Sequence, residues 1–180
     1  MSIAGEAEAD GVELVPYADG DLALTVALEA DAVVKGQLGG PIGADEAERI
    51  HRDRLARTGH GELFFTIVPG GSAQPVGVAA IFQSRWGGGV IHEAGVMVLP
   101  GSSGRGVGAQ ALRHLGERAG ADLHLTQLHG FTAITNESGN RLCRSLGWRM
   151  LGQCDLDYEG RPLRCNHWVL DLTASPERSR

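Results

Sequence analysis

The sequence predicts an α+β domain whose central twisted sheet is mixed rather than wholly parallel and is flanked by helices. Two observations carry this. Segments with helical and strand periodicity follow one another in the order βααβββαβαββ, and strands alternate with helices only in the second half. A parallel pair needs a long crossover, usually a helix, whereas strands that follow one another directly pair antiparallel, so this order implies both kinds of pairing. The second observation is one tightly built unit. A short β-branched run ends at Pro100, a Gly/Ser loop follows, and an Ala/Leu-rich helical pattern begins at Val107.

The elements follow in order. Val12–Val15 is a first strand, and Pro16–Asp19 turns into a helix over Leu22–Val34, where apolar residues at 22, 26, 28, 32 and 33 give an amphipathic period. Gly36–Gly43 is a loop, and its Leu38–Pro41 portion is a candidate wall for a ligand. Ala44–Thr58 is a second helix with Asp45 and Glu46 near its start and Arg52, Arg54 and Arg57 toward its end, which suits the helix dipole. Glu62–Val68 and Pro75–Gln83 pair around a Pro-Gly-Gly turn, and Val90–Leu99 is the next strand. Val107–Ala119 is a helix, Leu125–Thr135 a strand, and Glu137–Leu146 a short helix with Asn136 as its N-cap. Arg149–Asp157 and Leu163–Leu172 close a hairpin around Tyr158–Pro162. Residues 11–172 read as a single domain, with flexible polar tails at 1–10 and 173–180.

Composition narrows the function. A chain of 180 residues buries one good core. The net charge of −6, with Lys35 the only lysine and no basic cluster, argues against nucleic acid as a partner. Cys143, Cys154 and Cys165 are odd in number and well separated, and the histidines are scattered, so neither a disulfide framework nor a metal site is expected. The acidic N-terminus lacks the pattern of a signal peptide, and no apolar run reaches transmembrane length. A cytoplasmic protein with no membrane partner is the expectation, and a homodimer is left open.

Residues 96–112 point to an anion. Glycines allow close backbone approach and positive φ, and the orphan N–H groups of a new helix favour phosphate. The loop is not a P-loop, because no G-K-[ST] follows the glycines. The spacing of Gly104, Gly106 and Gly108 also differs from the dinucleotide pattern G-x-G-x-x-G. The phosphate donors would be Ser103, Gly104, Arg105, Gly106, Val107, Gly108 and Ala109.

Three segments carry a family resemblance. They are the strand His92–Pro100, the loop just described, and Asn136 about 30 residues on, followed by Leu146-Gly147-Trp148. Together they resemble the GNAT family of N-acetyltransferases, over roughly residues 11–172, and the strand is most similar to that of the RimJ/RimL-type branch. The resemblance implies a GNAT-like fold and acetyl-CoA as co-substrate. It also implies direct ternary-complex transfer to a primary amine, either of a small molecule or of a protein N-terminus. Residues 103–109 would then hold the pyrophosphate, and Asn136 the pantetheine arm. Val96, Met97 and Val98 would lie along the thioester, in a strand that splays from its neighbour and frees an N–H at or beside Val98 for the carbonyl.

An amine is protonated at neutral pH and must lose a proton before it attacks. Glu93 occupies the acidic position of the RimJ/RimL-like strand. His92 is a second candidate base, and only one of the two faces the cleft; the remaining alternatives are water and a residue from the region of the first two helices. Two departures matter. Ser103 stands where the family has Arg or Gln, and Cys143 stands where many members have a Tyr that protonates the leaving thiolate. Cys143 is either that acid or a core thiol. These departures also motivate a second function class, a non-catalytic acyl-CoA-binding or regulatory module of the same fold.

Overall fold

The computed structural model describes residues 11–158 and 160–173. The expected tails, apart from Thr173, lie outside the described residues. The strands are β1 (Val12–Pro16), β2 (Leu63–Pro69), β3 (Gly77–Trp86), β4 (Gly89–Val98), β5 (Gln127–Ala133), β6 (Arg149–Tyr158) and β7 (Arg161–Asp171). The helices are α1 (Leu22–Ala30), α2 (Ala32–Lys35), α3 (Ala44–Arg57), α4 (Val107–Leu123) and α5 (Glu137–Ser145). The seven strands form one mixed sheet in the order β1-β2-β3-β4-β5-β7-β6, antiparallel throughout except for β4 and β5. The expected fold class is therefore observed.

Local boundaries differ from expectation for identifiable reasons. The helix expected over 22–34 is broken at Asp31, which is extended (φ −79°, ψ 123°) and whose carboxylate accepts the N–H groups of Val33 (2.8 Å) and Val34 (2.9 Å). An N-cap inside an apolar run overrides the run's periodicity. Helix α4 continues past Ala119 to Leu123 and stops where His124 enters the left-handed region (φ 53°), so β5 begins at Gln127 rather than Leu125. The hairpin turn is shorter than expected, because Tyr158 and Arg161 pair with each other.

Alternation divides the sheet into two packed faces. On one, Phe65, Ile67, Ala79, Ile81 and Leu128 meet Val107, Ala111 and Leu115 of α4 and Cys143 of α5. Leu115, Ile81 and Leu128 are fully buried, each contributing about 1.5–3 kcal/mol. On the other, Tyr17, Leu24, Leu28, Phe64, Val78 and Ala80 pack with Phe82, Met97 and Leu99.

Two buried polar systems tie elements together. Asn140 of α5 donates to the carbonyls of Ala133 (2.9 Å) and Asn136 (2.8 Å), and its Oδ1 accepts from Asn166 (2.8 Å), Trp168 (3.2 Å) and Thr132. Glu29 of α1 receives Lys35 of α2 at 2.8 Å and Arg54 of α3 at 2.9 Å. Lys35 is 0 % exposed and lies 5.3 Å from the centre of the Tyr158 ring, so α2 is joined to the end of β6.

Candidate active site

The parallel pair β4/β5 is held by a single register pair, Glu93 with His129. Beyond it, residues 94–98 remain fully paired with β3 and have no paired partner on β5. The Leu99 N–H donates to the Val76 carbonyl at 2.8 Å. Backbone alternation from that bond turns Met97 and Gly95 toward β3, and the N–H and C=O of Val96 and Val98 toward the gap. The gap thus opens from Glu93 toward the C-terminal ends of β4 and β5, lined on one edge by backbone donors.

The glycine loop stands at the mouth of this gap. Gly104 and Gly106 both have φ of 76°, the left-handed region that side chains disfavour. The first backbone bond into α4 is from the Gln110 N–H to the Gly106 carbonyl (3.0 Å), so Val107, Gly108 and Ala109 have no helical acceptor for their N–H groups. Arg105 is exposed beside them. Ser103 differs from the rest, because its N–H already donates to Pro100 (3.1 Å) and its hydroxyl lies 3.5 Å from the Leu99 carbonyl. Gly108 lies against Val98 and Leu142, which joins the loop to the gap. Across the mouth, the Asn136 side chain caps α5 by accepting from Gly139 (3.0 Å).

Glu93 is partly buried at the vertex of the gap, on the face that carries Phe82 and Met97. Burial raises its pKa to about 7, against a smaller opposing effect of a hydrogen bond from Ser84. Such a carboxyl is half ionised at neutral pH, the condition in which a general base works best. His92 points to the opposite face, with Ala94 and Val96. Its charge acts on Glu62. Burial pushes that carboxyl up, but Arg57 (2.6 and 2.8 Å), the Gln83 N–H (2.7 Å) and His92 together hold it below its ordinary value. Cys143 is 6 % exposed in the α4-side core, and burial pushes its thiol up to about 11.

A model of the acetyltransferase (GNAT) domain matches residues 12–149. The chain belongs to the GNAT acetyltransferase family. Comparison by sequence with curated proteins finds no match. Among solved structures, the chain is similar to a GNAT-family acetyltransferase from Bacillus anthracis (TM-score 0.76, 13 % identity, covering 93 % of this chain and 98 % of that one). It is also similar to the Vibrio cholerae spermidine N-acetyltransferase in complex with CoA and spermine (TM-score 0.74, 14 % identity, 90 % and 96 % covered). A third is the Salmonella typhimurium acetyltransferase that modifies the N-terminal serine of 50S ribosomal protein L7/L12 (TM-score 0.73, 13 % identity, 89 % and 95 % covered). At these identities the likeness establishes the fold.

Within this GNAT domain the tertiary structure adds residues to the face of Glu93 that no sequence motif marks. Ser84 lies diagonal to it on β3. Cys165 of β7 and its cross-strand partner Cys154 of β6 lie near enough for the Glu93 charge to act on both thiols. The loop 36–43 reaches the β5/β7 flank of the gap. Gln37 accepts from the Thr135 hydroxyl at 2.7 Å, and the Arg161 side chain packs against Gly39 and Gly40. Only strand alternation, applied to β3, β6 and β7 together, could have placed these residues on one face. Among the described residues no group of three or more metal-ligating side chains is gathered, and no helix is long and apolar enough to cross a membrane.

Proposed function

We propose that this protein is an acetyl-CoA-dependent N-acetyltransferase, of the RimJ/RimL-type branch, that acts on a primary amine of a small molecule or a protein N-terminus. The observation that carries the reading is Glu93 at the vertex of the β4/β5 gap, with a proton affinity near neutrality. A module that only binds acyl-CoA has no use for a base there.

Bound acetyl-CoA supplies the thioester carbonyl that the amine attacks. The chain's own residues do the rest. The N–H groups of Gly104–Ala109 and the positive end of α4 suit a pyrophosphate, and Arg105 adds a charge that both water and phosphate can reach. Val96, Met97 and Val98 form the wall of the gap, and the inward N–H groups of Val96 and Val98 suit a carbonyl that gains negative charge. Asn136 stands at the opposite edge. Glu93 takes the ammonium proton, while His92 on the far face has no access to it.

Transfer is direct. A thiol carrier would need a thiolate, and burial pushes Cys143 and Cys165 up to about 11, which leaves about one in ten thousand ionised at pH 7. The same value and the burial of Cys143 in the core support its reading as a packing residue, with the second proton shed by the attacking nitrogen reaching the departing thiolate through water.

The deciding experiment incubates the protein with acetyl-CoA and a mixed library of amines and peptides, and reads acetylated products by mass spectrometry and thiol release. Acetylation of a primary amine, abolished without protein, is the expected result. Acetyl-CoA binding by calorimetry with no product from any library member would support the binding module instead.

A further inference from the structure

Glu93 cannot turn over unless its proton leaves. Acceptor ammonium and thioester yield amide, thiol and one proton, so each cycle must carry one proton from the Glu93 carboxyl to water. The gap side of Glu93 is where the acceptor would sit, which makes an exit on another side useful.

We infer that the imidazole of His129, held in one tautomer by His167, takes the acceptor's proton from Glu93 and passes it to solvent. This rests on Glu93 being the base and concerns how that base is emptied.

Four observations carry it. Glu93 and His129 are the one register pair of β4 and β5, and directly opposite residues of a parallel pair project from the same face, about 5 Å apart. His129 Nδ1 lies 2.9 Å from His167 Nε2, and in the relay tautomer the His129 Nδ1–H donates to His167, which leaves the lone pair of His129 Nε2 to take the proton and later give it to water. The rings cannot swing away. His129 stacks on His167 at 5.2 Å, and His167 is gripped by Phe131 at 4.5 Å and Trp86 at 5.1 Å. His167 is 6 % exposed while His129 is only partly buried, so the route to water runs from His129 and His167 serves as its clamp.

Among the described residues, the other titratable groups facing Glu93 are Cys165 of β7 and Cys154 of β6, with Ser84 of β3 hydrogen-bonded to it. Both thiols are pushed up by burial and hold their protons, so they do not accept one at neutral pH. Burial lowers both histidines, which keeps His129 neutral between turnovers. Because burial weakens His129 as a base, it holds the proton only in passing, and release to water completes the step.

The test uses the full chain labelled with 13C at glutamate carboxyls and 15N at histidine rings, titrated by NMR from pH 3.5 to 9. In the parent, His129 Nε2 should respond over the interval in which the Glu93 carboxyl titrates. Glu93→Gln should remove from His129 the response that follows the Glu93 interval and leave it a single transition of its own. A Glu93 midpoint near 7 with a separate His129 transition, the same in parent and Glu93→Gln, overturns the relay and leaves the base reading intact. A Glu93 midpoint near 4.5 overturns both. Should Glu93→Gln fail to fold, the common or separate midpoints in the parent decide alone.

Discussion

His92 and Glu93 follow one another on β4 and project from opposite faces of the sheet, Glu93 toward the side of Phe82 and Met97, His92 toward the side of Ala94 and Val96. Their substitutions should therefore separate cleanly. Glu93→Gln is expected to lower kcat/KM for the acceptor by about 10²-fold or more at unchanged acetyl-CoA affinity, while His92→Gln stays near the parent. In the parent, kcat/KM should rise with pH through about 7 as the Glu93 carboxyl ionises, and this limb should vanish in Glu93→Gln. A larger loss in His92→Gln would move the role to His92.

The same carboxyl links stability to pH. Its folded-state value of about 7 lies above the ordinary 4.5, so folding favours the protonated form. That contribution is fully present below about pH 4.5 and is lost as pH rises through about 7. Glu93→Gln cannot ionise and escapes the loss. Denaturant titrations should show it gaining on the parent between pH 5 and pH 8.5, by up to about 3 kcal/mol.

Gly106 makes the proposed phosphate loop testable. An ideal Cβ there meets nothing within 4 Å, so crowding is not the constraint, but its φ of 76° disfavours any side chain. Gly106→Ala should cost about 1 kcal/mol of stability and little affinity. Gly106→Asp adds a carboxylate where phosphate would sit and should cost several kcal/mol of acetyl-CoA affinity by calorimetry. Equal binding by Gly106→Asp and the parent would place the site elsewhere.

Cys143 packs among Val107, Leu112 and Trp148. Cys143→Ala should lower stability by about 1–2 kcal/mol and leave turnover within about threefold of the parent. A hundredfold loss at an intact melting temperature would make it the acid.

Glu29 holds two cations, Lys35 and Arg54, in a nearly dry site. Lys35→Met leaves Glu29 its contact with Arg54 and should cost about 3 kcal/mol, while Glu29→Leu deprives both cations and should cost more. The reverse order in thermal or denaturant unfolding would show that the carboxylate is not the centre of the cluster.

What the sequence by itself determined is local. The element order, the glycine loop that opens α4, Asn136 as a cap and the opposite facing of His92 and Glu93 all follow from periodicity, turn chemistry and strand alternation, which a few neighbouring residues decide. The tertiary structure decided what depends on residues distant in the chain. One register pair between β4 and β5 opens the gap, and burial by other strands moves Glu93 toward neutrality. His129 and His167, 38 positions apart, meet only because β5 and β7 pair. Lys35 reads as a surface charge in sequence and is buried because Glu29, Arg54 and Tyr158 converge on it from three other elements. Asn140, polar in an amphipathic helix, is drawn inward by partners on β5 and β7. Desolvation and pairing are properties of an environment, and the environment exists only once the sheet has closed around it.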